Sequence, residues 1–188
     1  AIVLGAGLSS AEAPSSVPAD ILAAFARPAQ RPSATKDDAR QVALGRALFF
    51  DTRLSGDGSL SCASCHDPQL GFADRVPLGS GIAGTRLPRH TPALWNLAWG
   101  RTFFWDGRAT SLESQSTGPI ENPAEMGAKI EDVVARLEAD AEMRAAFAAA
   151  FPERPVVDAV NLTRALAAFE RTLVSPETRF DRFVAGER

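Results

Sequence analysis

Cys62-Ala63-Ser64-Cys65-His66 contains the only two cysteines in a chain of 188 residues. Three positions apart, they are too close to staple distant parts of a fold, so a disulfide framework is not their purpose. They define one local site. Spacing and order match the attachment pattern of c-type haem, in which two thiols add to the haem vinyl groups and the adjacent His reaches the iron on the proximal side. Cys62, Cys65 and His66 are therefore the expected attachment residues and axial ligand of one covalent haem c. Two other chemistries use paired thiols. A thioredoxin-like redox pair wants a strand-rich fold around it, and a zinc site would need both His66 and His90, although ligation by the neighbours Cys65 and His66 is awkward. Neither fits well.

On both sides of this motif, from Asp51 to Asp106, the chain is rich in Gly, Pro, Ser and Arg. Such a long irregular stretch belongs in a compact domain only when something else organises it, and a tethered haem would do so. The motif itself reads as the start of a short helix, and the stretch from Leu78 to Pro92 as loop. Further out the pattern is helical. Thr35 is a candidate cap for a helix running to about Phe50, with Asp37 and Asp38 in its first turn and Val42, Leu44, Ala47 and Leu48 as its apolar stripe. A second helical run spans Ile130 to Phe151 and stops at Pro152. A third, about Val157 to Val174, has an apolar face of Val160, Leu162, Leu166, Phe169 and Leu173. No alternating strand pattern of useful length appears, and no apolar run approaches transmembrane length. The expected fold is all-α: a cytochrome c-like helical domain with long irregular loops around the haem.

A hydrophobic content of 45% in 188 residues is enough to bury one substantial core. The net charge of −3, with no run of Lys or Arg, offers no footprint for nucleic acid or an anionic membrane surface. Residues 1–13 read as the end of a signal-peptide apolar region with a small-residue cleavage site, although the usual basic start is missing. Residues 14–35 read as an N-terminal arm with a brief amphipathic piece from Asp20 to Arg27, and residues 36–188 as the haem domain. The expected location is the periplasm.

Five blocks in order carry a resemblance: LGRALFFDTRLSGDGSLSCASCHDP from Leu44, RHTPALWN from Arg89, FFWDGRATSLESQ from Phe103, GPIENPAEMG from Gly118 and FDRFVAGE from Phe180. Together they resemble the bacterial di-haem cytochrome c peroxidase and MauG family, from about Gln41 to Glu187. The likeness is to the N-terminal, peroxidatic half of those proteins. The second half, with its own CxxCH haem, has no counterpart here, so the resemblance implies a partner haem domain or chain.

By that resemblance Glu125 matches the distal-pocket glutamate, Gln115 the neighbouring distal glutamine and Trp105 the tryptophan between the two haems. The chemistry asks for such groups: peroxide cleavage needs a proton moved between its oxygens, which a nearby carboxylate can shuttle, and an amide can orient the peroxide. Each residue has a plainer reading. Asn122, Pro123 and Glu125 suit a helix N-cap, first-turn proline and capping-box acid, and Trp105 suits a core or interface aromatic.

Departures from the family pattern matter as well. The loop from Gly81 to Thr85 has no histidine where many members carry a releasable distal ligand, which implies an open iron. His90 stands where an asparagine usually helps to bind calcium, which puts calcium in doubt; it reads as a hydrogen-bonded loop residue or, after rearrangement, a distal ligand. Arg89 and Arg108 are candidate partners of haem propionates or simply solvated.

The implied function is a periplasmic haem peroxidase that reduces hydrogen peroxide, or uses it to oxidise a protein side chain, with electrons from a small cytochrome c or cupredoxin. The alternative is a single-haem electron carrier whose sixth position is filled by Met126 or Met143.

Overall fold

The computed structural model describes residues 17–28 and 38–187. The expected leader remnant at 1–13 and the Thr35 cap lie outside the described residues. Among the described residues eight α-helices follow in order: α1 (Ala19–Ala24), α2 (Ala39–Phe49), α3 (Cys62–Cys65), α4 (Leu112–Glu121), α5 (Ile130–Ala139), α6 (Ala141–Ala150), α7 (Ala159–Glu170) and α8 (Arg179–Val184). Among the described residues there is no β-strand; the only bridges are isolated pairs such as Phe103 with Ala109. The fold is helical, as the patterning of the sequence implies.

The described residues divide into two compact units, one of 17–28 with 176–187, the other of 38–175. In the smaller unit, Phe25 beyond the end of α1 meets Phe180 of α8 edge to face at 6.0 Å, and Arg27 pairs with Asp181 at 3.5 Å.

In the larger unit α2 lies along α7. Leu44, Leu48 and Phe49 of α2 are buried against Leu162, Ala165, Leu166 and Phe169 of α7 in one core that also takes in Val133, Leu137, Phe147 and Phe151. The two helices touch backbone to backbone at Gly45, where a Cβ would fall 1.8 Å from the Ala165 carbonyl oxygen. Only glycine permits that approach. Asp38, expected inside the first turn of α2, is instead its cap and accepts from Arg40 N at 2.7 Å.

The run expected as one helix from Ile130 to Phe151 is two. Asp140 takes an extended conformation between α5 and α6 and caps α6 through Glu142 N at 2.8 Å, while its other oxygen accepts from Arg53 at 2.7 Å. A short acid that can bond its own backbone competes with helix continuation, which the apolar spacing could not reveal. The third run also shortens at both ends: Asp158 caps α7 by accepting from Asn161 N at 2.8 Å, and Val160 is 51% exposed rather than on the apolar face. Helix α4 has no strong apolar stripe and carries Pro119 within it, so little in its residues signals a helix.

Candidate functional site

Helix α3 is a single turn. Ser64 Oγ accepts from Ser61 N at 3.0 Å at its start, and His66 N donates to Cys62 O at 2.9 Å at its end. The chain then folds back on itself. Asp67 O accepts from Phe72 N at 2.8 Å and Asp67 N donates to Ala73 O at 3.0 Å. This tight return passes through Gly71 and Phe72, both with positive φ. For Phe72 the left-handed conformation costs about 1–2 kcal/mol, offset by burying its ring against Phe49 and Trp95.

The return brings the Phe72 carbonyl oxygen to 2.9 Å from His66 Nδ1. A carbonyl only accepts, so Nδ1 carries the hydrogen and Nε2 is left with its lone pair, the arrangement a metal-ligating histidine needs. Burial lowers the proton affinity of this imidazole, which favours the neutral ring. The two thiols are shifted the other way. Cys62 is pushed up to about 12, chiefly by burial and next by the Glu170 carboxyl, and Cys65 is raised by burial, Asp74 and Glu125. A reactive dithiol needs depressed values, so the redox-pair reading loses its support. Among the described residues no group of three or more His, Cys, Asp or Glu side chains is placed to hold a metal ion, which speaks against the zinc reading.

Cys62, Cys65 and His66 open onto a cavity of about 740 Å³, and Trp105, Gln115 and Glu125 line the same cavity. The three expected attachment residues and the three residues expected from the resemblance thus line one space. Apolar side chains such as Phe49, Leu94, Leu97 and Leu166 form much of its wall. Thiols and a neutral imidazole beside a large, mostly apolar space suit a covalently held haem: the volume lies within the range of about 300–1,000 Å³ common for cofactor and ligand sites. Cys62, Cys65 and His66 would hold it.

Glu125 does not begin a helix, contrary to the capping-box reading. Asn122 ends α4 and organises a turn: its carbonyl accepts from Glu125 N and Gly127 N, both at 2.9 Å, and its Oδ1 accepts from Ala124 N at 2.9 Å. Its Nδ2 donates to Glu125 Oε1 at 2.8 Å. The loop that lacks a histidine braces this turn, for Ile82 N donates to Glu125 O at 2.7 Å, and a Cβ on Gly81 would fall 1.8 Å from Ala124 O. Sequence reasoning placed Asn122 as a cap and missed it as the partner of Glu125; an Asn-Pro pair also signals a turn, and that was the available clue.

Trp105 is not a core aromatic: it is 62% exposed, and its Nε1 donates to His90 O at 2.9 Å. The His90 ring is held through Nδ1, 2.9 Å from Val76 O and 3.2 Å from Asp74 Oδ1, which accords with a hydrogen-bonded loop residue. Arg89 and Arg108 both line the cavity, and each is paired with Asp106, at 3.3 and 2.8 Å. Met126 is buried and lines the cavity, whereas Met143 packs in the helical core away from it. Sequence reasoning also missed Glu170, a buried acid in the cavity wall. Its signal was an acidic residue four and eight positions after Leu166 and Leu162, on the apolar stripe of α7.

Comparison with known proteins gives a consistent picture. Residues 39–188 match the family described as di-haem cytochrome c peroxidase. The methylamine utilization protein MauG of Methylorubrum extorquens is 45% identical over 185 residues, covering 97% of this chain and 52% of that relative. The cytochrome c peroxidase Ccp of Escherichia coli is 38% identical over 157 residues, covering 83% of this chain and 33% of that protein. A crystal structure of a MauG-like protein associated with microbial copper homeostasis superposes with a TM-score of 0.76 at 33% identity, covering 95% of this chain and 51% of that one. The chain therefore spans about half the length, or less, of these relatives.

Proposed function

Since the chain belongs to the di-haem cytochrome c peroxidase family, we propose that it is the peroxide-reacting haem module of such an enzyme, and that it works in the periplasm. The observation that carries this reading is the convergence of Cys62, Cys65, His66, Trp105, Gln115 and Glu125 on one cavity. Haem, when bound, supplies the redox-active iron at which hydrogen peroxide is reduced with two electrons and two protons to two waters.

The roles of the chain's own residues follow from their surroundings. His66 would hold the iron through Nε2, and the Phe72 carbonyl on Nδ1 fixes the ring and raises its basicity. Glu125 receives a proton from one peroxide oxygen at its carboxylate and delivers it to the departing oxygen. Asn122 holds that carboxylate on a braced turn, so little reorganisation is needed when peroxide arrives. Gln115 orients the peroxide by hydrogen bonding. The exposed indole of Trp105 carries electrons between this cavity and a second haem domain or chain, which in turn receives them from a small cytochrome c or cupredoxin. His90, held by the Val76 carbonyl and Asp74, stays a loop residue and would leave the cavity lined by Gln115 and Glu125 open to peroxide.

The test is peroxide consumption by the haem-loaded protein with a small one-electron dye as donor, so that the result does not depend on the natural partner. Dye oxidation proportional to added peroxide is expected. Full covalent haem content with no peroxide-dependent dye oxidation would overturn the reading in favour of an electron carrier, with Met126 as the candidate axial ligand.

A further inference from the structure

Glu170 ends α7 and is 7% exposed, yet it lines the haem cavity. Its Oε2 is buried and has no hydrogen-bond partner. A carboxylate in that state is costly, since neither water nor a donor compensates its charge. Three ionisable neighbours act on it or feel it. Arg171 follows it on the chain and is ion-paired with Glu113 of α4, which adds a like charge, and Cys62 of α3 is itself raised by the Glu170 carboxyl. The side chains that α2 and α5 contribute to this core, such as Phe49, Val133 and Leu137, are uncharged. Burial dominates and pushes Glu170 up to about 8.

Glu170 and Cys62 line the same cavity, so this acid would face the cofactor that Cys62 would bond. In an apolar wall a charge change on the iron is felt strongly by such a group. We propose that Glu170 is a redox-linked proton site of the haem cavity: its carboxyl takes up one proton from solvent when a one-electron donor reduces the iron and returns it to solvent when the iron is reoxidised. The net charge of the cavity then stays constant through the cycle. Linkage is reciprocal, so the proton must shift the electron affinity just as the electron shifts the proton affinity. The oxidised, more positive centre favours the carboxylate, hence the midpoint potential falls as pH rises through the titration of this group. This proposal rests on the reading that the cavity holds haem.

The experiment is a spectroelectrochemical titration of the haem-loaded protein across the neutral and alkaline range, for wild type and Glu170→Gln. Glutamine reproduces the neutral acid in shape and cannot ionise. The wild-type potential is expected to fall with pH, and the variant is expected to lose that slope. An unchanged slope in the variant would overturn the proposal. Should the variant not fold or load haem, the reduced-minus-oxidised infrared difference spectrum of the wild type decides: reduction must add a protonated-carboxyl band, and its absence would overturn the proposal equally. A protein without covalent haem defeats the cavity reading itself, whereas a haem-loaded protein with a flat potential defeats only this proposal.

Discussion

Asn122 Nδ2 lies 2.8 Å from Glu125 Oε1 and donates to it, so the acid assigned to proton transfer is anchored by the residue that ends the preceding helix. Replacing Asn122 with Ala removes this bond and the Ala124 N–H acceptor together. Peroxide turnover should fall by roughly tenfold, the scale of about 1.4 kcal/mol in the barrier, while covalent haem content is unchanged. Steady-state dye oxidation beside a haemochrome assay checks it.

Glu125→Gln should be more damaging, because it removes the proton acceptor rather than its support. General acid and base catalysis contributes about 10²–10⁴ in rate, so turnover should drop by at least the lower figure with the ferric spectrum retained. Unchanged turnover would remove Glu125 from the mechanism.

Gly45→Ala tests the helical frame. Its Cβ has no room beneath the Ala165 carbonyl, so α2 and α7 must separate, and overpacking of this kind costs about 1–3 kcal/mol. Chemical denaturation should show that loss, with a looser cavity wall because Phe49 on α2 and Leu166 on α7 both line it.

Asp140→Ala removes the cap of α6 and a partner of Arg53. The Arg53 hydrogen bond is the chief cause that holds this carboxyl below its ordinary 3.8. A depressed carboxylate stabilises the fold above its unfolded value, and that contribution is lost as pH falls through the folded one. The variant should therefore melt lower than wild type at neutral pH, and the gap should close in acid, as thermal scans at several pH values would reveal.

Much of this architecture is legible in the amino-acid sequence. The residues proposed to attach haem, Cys62, Cys65 and His66, announce themselves by spacing, and the core faces of α2 and α7 by periodicity at Leu44, Leu48, Leu162, Leu166 and Phe169. The features that local pattern does not reveal are set by polar competition or by tertiary contact. Asp140 splits one apolar run into two helices because its side chain accepts from the Glu142 and Met143 N–H groups and caps the second. Pro119 and the serines of α4 hide a helix that packing against α7 sustains. The turn that holds Glu125 depends on hydrogen bonds from Asn122 and Ile82, and Ile82 is remote in sequence, so no local pattern encodes it.

The proposed chemistry depends on an iron that His66 would hold and that would stay open to peroxide within reach of Glu125 and Gln115. It is tested by the optical and electron paramagnetic resonance spectrum of the purified ferric, haem-loaded protein before and after stoichiometric hydrogen peroxide. A high-spin ferric signal that changes promptly on adding peroxide is expected. A low-spin spectrum that peroxide leaves untouched would show the sixth position filled and the open site wrong.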